Sequence, residues 1–130
     1  MKIRITSVPV KNQDQALKFY TEILGFIKKR DIPLEQDRWL TVVSKDEPDG
    51  AELLLEPSPN HFEPAKVYQK ALFDAGIPWT QFNVDDVDKE YERLRESGLE
   101  FSMEPTDIGP AKLAVFNDTC GNYIQLVEEL

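Results

Sequence analysis

The sequence predicts an α+β fold built from two tandem βαβββ modules, and three observations carry that prediction. Eight short runs alternate apolar and polar side chains with the period of a strand. Two intervening segments repeat apolar residues at three-to-four spacing, the signature of a helix with one buried face. The two halves also share landmarks at nearly constant offset: Val10 and Val84 lie 74 positions apart, Gly25 and Gly98 73, and Gly50 and Gly121 71. A drift of this size is what short deletions in loops produce.

The elements follow in chain order. Ile3 to Val10 reads as the first strand. Asn12, with Gln15 three residues later, offers a capping-box start to a helix. Ala16, Leu17, Tyr20, Ile23 and Leu24 then share one face, and Gly25 ends the helix. Strand-like runs at roughly 26–31, 38–44 and 50–56 complete a first module at about 1–56. Residues 57–77 form a linker: "PSPNHFEP" is irregular, and a short helix runs from Pro64 to about Ala75, with Gly76 as its C-terminal cap. The second module, about 78–130, opens with the strand "PWTQFNV". Asp85 is the expected N-cap, with Asp88 three places on; Val87, Tyr91 and Leu94 make the apolar stripe, and Gly98 closes it. Asp85, Asp86 and Asp88 thus read as helix-start acids facing the dipole, not as a metal cluster. Runs at 99–103, 111–117 and 121–128 finish the module.

Composition narrows the partners. With 130 residues the chain suits one compact domain that needs no disulfide, and its single cysteine cannot form one internally. A net charge of −9 and a pI near 4.6 argue against nucleic acid, which requires clustered Lys and Arg. No apolar run approaches the roughly 18 residues that read as a membrane span. The start "MKIRITSVPV" lacks the apolar core of a secretory signal, so a cytoplasmic location is expected.

Strand alternation identifies the face available for chemistry. Thr6, Val8 and Val10, with Thr80, Phe82 and Val84, match a helix-covered core. The opposite face carries Ile5, Ser7 and Pro9 in one module and Trp79, Gln81 and Asn83 in the other. In the last strand Ile124 and Leu126 are core, leaving Tyr123, Gln125 and Val127; in its counterpart Leu53 and Leu55 leave Glu52, Leu54 and Glu56. This mixed polar and aromatic face has the character of a small-molecule site, and also that of a solvated sheet surface.

The paired modules, with "ALKFYTEILGF" in the first and "NDTCGNYIQL" closing the second, resemble the vicinal oxygen chelate superfamily, which comprises glyoxalases, bleomycin resistance proteins and extradiol dioxygenases. The resemblance spans Ile3 to Glu128 and implies a curved mixed-sheet cup with helices on its outer face. It also implies a homodimer, whose cups close within one chain or by exchange of modules. Metal-using members place one inward ligand on the first and last strand of each module. Carried over, those positions are Ile5, Leu54, Trp79 and Gln125, of which Gln125 alone bears a donor for a hard cation. A metal is therefore not expected there. A register displaced by one place would bring Glu52 or Glu56 near the cup, giving an alternative metal site of Glu56 with Gln125.

Two other side chains invite chemistry. Cys120 has no base or cation beside it in sequence and reads as a turn residue rather than a nucleophile. His61, the only histidine, reads first as a solvated linker residue and second as an acid or base at the cup mouth. The function expected is a metal-free small-molecule binder with contacts from Ser7, Trp79, Gln81, Asn83, Tyr123 and Gln125. The alternatives are a divalent-metal-dependent lyase, isomerase or dioxygenase using Glu56, Gln125 and His61, and a dimeric interaction protein without ligand.

Overall fold

A computed structural model describes residues 1–58 and 62–130, so His61 lies outside the described residues. The chain divides into two compact units, Met1–Lys66 and Val67–Leu130. The first holds β1 (Ile5–Val10), α1 (Gln13–Lys18) running directly into a π-helical segment (Phe19–Ile23), β2 (Ile27–Leu34), β3 (Asp37–Val43) and β4 (Glu52–Pro57). The second holds β5 (Thr80–Asn83), α3 (Val87–Glu96), β6 (Phe101–Asp107), β7 (Ala111–Asn117) and β8 (Tyr123–Glu129). The linker helix, α2 (Glu63–Asp74), spans the boundary.

Each unit is a four-stranded mixed sheet of the same topology, ordered β1-β4-β3-β2 and β5-β8-β7-β6. The first strand of each pairs in parallel with the last, β1 with β4 and β5 with β8, and the remaining pairs are antiparallel. The predicted βαβββ modules are both present.

Local chemistry sets the helix starts. Asn12 is extended and its Oδ1 accepts the Gln15 N–H at 2.9 Å, as the sequence predicts. In the second module the cap is Asp86, not Asp85: Asp86 Oδ1 accepts the Lys89 N–H at 3.0 Å. The start is shifted because Glu128 of β8 accepts the Val87 N–H at 3.3 Å, which fixes Val87 as the first helical residue.

The two helices differ in one respect. From Asn12 to Gly25 the chain advances thirteen positions, and from Asp86 to Gly98 twelve, although Gly25 (φ 91°) and Gly98 (φ 90°) end them in the same left-handed conformation. The extra residue sits in the π-helical segment, where Phe19 O accepts from Leu24 N five positions on. So the first step of the offset drift falls inside a helix; after it, loop 44–51 is three residues longer than loop 118–122 and the stretch from Gly25 to β3 is one residue shorter than that from Gly98 to β7, a net difference of two.

The core lies between each sheet and its helix. Val8, Val10, Leu40, Val42 and Leu55 are fully buried with Ala16 and Tyr20. Phe116 and Ile124 are buried with Val87 and Leu94. Thr6, expected beside Val8, is exposed, since burial along β1 rises only from Ser7 onward. Gln13 ties α1 to its sheet: its Nε2 donates to Arg38 O at 2.7 Å and Leu55 O at 2.9 Å, and its Oε1 accepts from Arg38 N at 3.1 Å.

Candidate functional site

Parallel pairing of β5 with β8 sets Gln81 beside Gln125 and Asn83 beside Val127. Trp79 lies just before β5, and its backbone N–H donates to Tyr123 O at 2.9 Å, which continues the alignment. Alternation then puts Trp79, Gln81, Asn83, Tyr123 and Gln125 on the face away from the apolar side that meets α3. The two glutamines meet there, Gln125 Nε2 donating to Gln81 Oε1 at 3.1 Å. The Gln81 amide NH2 and the Gln125 carbonyl oxygen have no side-chain partner among the described residues. The pair presents a donor and an acceptor side by side. Asn83 Nδ2 donates to Glu129 Oε1 at 3.4 Å.

The two aromatic candidates are engaged by α2, the helix expected within the linker. Tyr68 meets Trp79 edge to face at 5.6 Å, and Phe73 stacks on Tyr123 at 4.7 Å and 14°. Tyr68 keeps 58% of its surface exposed, so its ring and that of Trp79 form an open aromatic corner.

A buried polar chain holds this arrangement and escaped sequence reasoning. Asp118 is fully buried; its Oδ1 accepts from Cys120 N at 2.7 Å and Asn122 N at 3.0 Å, and its Oδ2 from Asn122 Nδ2 at 3.0 Å. Asn122 Oδ1 in turn accepts from Gln69 Nε2 of α2 at 3.2 Å. The tight turn, with Thr119 at φ 62° and Gly121 at φ 105°, delivers the chain into β8 and so aims Tyr123 and Gln125. The signal in sequence is an Asp and an Asn bracketing a glycine. Cys120 is buried within the turn, and burial, reinforced by the Asp118 charge, pushes its thiol up to about 12.

In the first module Ser7 pairs with Leu54, Ile5 with Glu52, and the exposed Glu56 with Pro9. Glu52 is the engaged carboxylate: its Oε1 accepts from Thr41 Oγ1 at 2.7 Å and Arg30 Nε at 3.0 Å. Those contacts, Thr41 first, hold its carboxyl below the usual range. Among the described residues no three His, Cys, Asp or Glu side chains gather as a metal site. Of the four ligand positions that the resemblance implies, Ile5, Leu54 and Trp79 bear no donor for a cation, so these residues do not fit a chelated metal.

The match to known proteins follows this architecture. The chain belongs to the glyoxalase/bleomycin resistance protein/dioxygenase superfamily, whose family model matches residues 2–126. It is 56% identical to the uncharacterized protein YurT of Bacillus subtilis, over 99% of this chain and all of that protein. Among solved structures it is similar to UcmS2, at 32% identity and a TM-score of 0.86, over 99% of this chain and 98% of the other. It is also similar to TnmS3, an antibiotic binding protein from Streptomyces, at 27% identity and a TM-score of 0.76, over 100% and 97% of the two chains. Among the described residues no helix is long and apolar enough to cross a membrane.

Proposed function

We propose that this protein binds a small organic molecule without a metal, on the sheet face opposite α3. The observation that carries this reading is the Gln81–Gln125 amide pair, one donor and one acceptor left open, beside the rings of Trp79 and Tyr123. A planar molecule with a carbonyl or hydroxyl edge matches both features, since rings stack and the edge exchanges hydrogen bonds with the amides. Asn83 borders the same face, and Ser7 occupies the corresponding face of the first module. The likeness to an antibiotic binding protein supports the ligand class. A cytoplasmic homodimer is the proposed setting.

The test is a ligand screen read by tryptophan fluorescence on the parent, Trp39→Phe and Trp79→Phe proteins, with elemental analysis of each preparation. With neutral ligands, the ligand-induced change should survive the first substitution, vanish with the second, and weaken at least tenfold in Gln125→Leu. Metal content should stay far below one ion per chain. A tight ligand indifferent to both Trp79→Phe and Gln125→Leu overturns the reading. So does one equivalent of zinc, nickel, iron or manganese that is lost with Gln125→Ala.

A further inference from the structure

The first module carries a charged group where sheet stability does not call for one. Register places Arg30 of β2 opposite Thr41 of β3, and Thr41 opposite Leu54 of β4; Ile32 stands opposite Trp39. Directly paired strand residues share a face, so Arg30, Ile32, Trp39, Thr41, Val43, Glu52 and Leu54 lie together, on the side away from the core residues Leu40, Val42 and Leu53. Most of these neighbours are apolar. A guanidinium and a carboxylate set among them incur a desolvation cost that a hydrophobic pair of similar volume would avoid.

The bonding within the group has a direction. Thr41 is fully buried and fixes Glu52, whose side chain is 12% exposed; Glu52 accepts from Arg30 Nε, and the Arg30 side chain is 50% exposed. Glu52 is thus a covered positioning residue, and the guanidinium is the end that faces outward. Its two terminal nitrogens have no partner among the described residues, whereas neighbouring Lys28 and Lys29 are paired with Asp31 and Asp49. Trp39 lies two residues along β3 from Thr41 on the same face, roughly 7 Å away, the length of a two-ring aromatic. On a chain of net charge −9 the long-range field repels anions, so an anionic ligand depends on a local, oriented cation.

We propose that Arg30 binds the oxyanion of a planar aromatic acid, with Trp39, Ile32 and Leu54 supplying the apolar bed and the Glu52–Thr41 pair holding the guanidinium in place. Both terminal nitrogens donate to the ligand's carboxylate or phenolate oxygens, the fork that a lysine cannot reproduce. This site belongs to the first module.

The probes are 2-naphthoate and its neutral counterpart 2-naphthamide, titrated into 15N-labelled protein and followed by amide NMR shifts. In the parent, 2-naphthoate should move the signals of Arg30, Trp39, Thr41 and Leu54, and 2-naphthamide should bind at least tenfold more weakly. Arg30→Met should weaken 2-naphthoate at least tenfold while leaving 2-naphthamide within twofold. Arg30→Lys should fall between, and retained spectral dispersion certifies the fold of both. Equal affinity of the parent and Arg30→Met for 2-naphthoate overturns the proposal, as does equal binding of the two probes to the parent. Shifts confined to Trp79, Gln81 and Gln125 overturn this site and leave the preceding reading standing. Absence of shifts in the first module with 2-naphthoate, up to its solubility, likewise overturns this site.

Discussion

Cys120 shows how a single residue's surroundings decide its chemistry. Its thiol is buried and its backbone N–H is committed to Asp118, whose negative charge opposes a thiolate. With the thiol pushed up to about 12, almost none is ionised at pH 8. Iodoacetamide at pH 8 should alkylate the native protein at under a tenth of the rate seen in urea, and Cys120→Ser should keep ligand affinity within a few-fold. Rapid native alkylation, or loss of binding in a folded Cys120→Ser protein, contradicts this. The difference between Gln125 and Leu54 at equivalent positions was legible because strand alternation needs no tertiary information. The Asp118–Asn122–Gln69 chain was not, because Gln69 and Asn122 stand 53 positions apart. Sequence spacing carries no record of a side-chain hydrogen bond over that distance.

Among the elements, α1 is tied to its sheet by a polar side chain as well as by its buried apolar face. The Gln13 amide makes three hydrogen bonds to the backbones of β3 and β4, near where direct pairing of those strands is limited to Thr41–Leu54 and Val42–Leu53. Removing it leaves part-buried peptide groups without that partner, so Gln13→Ala should destabilise the protein by about 2 kcal/mol, measured by urea unfolding. Gln13→Glu should also weaken it, because a carboxylate cannot donate to the two carbonyls. A change under about 0.5 kcal/mol, the scale of ordinary surface substitutions, would show that water replaces the amide freely. Element types and order were readable from periodicity and caps; the cap at Asp86 was not, because three acids crowd that helix start and Glu128 of a distant strand selects among them. Likewise α2 was visible as a helix, but its aromatic contacts with Trp79 and Tyr123 exist only after β5 and β8 pair.

Taken as a whole, the molecule should respond to acid through its paired carboxylates. Glu52 is held below its ordinary value of 4.5, first by Thr41 and then by Arg30, and Asp31 is lowered mainly by Arg38. A depressed carboxyl contributes stability that is present above its unfolded value and is lost as pH falls through the folded one. Urea midpoints should therefore hold level from pH 7 to 5 and fall below about 4.5. Glu52→Gln should be less stable than the parent at pH 7 and show a shallower fall. Parallel curves for the two proteins would place the acid sensitivity elsewhere.

The π-helical segment reconciles two helices of unequal length with one module plan. A helix that closes one wider turn holds thirteen steps between the same two ends that elsewhere take twelve, so its cap and its terminal glycine keep their places while one residue is gained. Had that residue entered a regular α-helix, every side chain beyond it would have rotated by about 100° away from the core. Instead Phe19 and Tyr20 both remain buried. The one-residue difference between the two modules' helices is thereby confined to Phe19–Ile23. The two modules can thus differ in helix length while each keeps a buried face turned to its sheet.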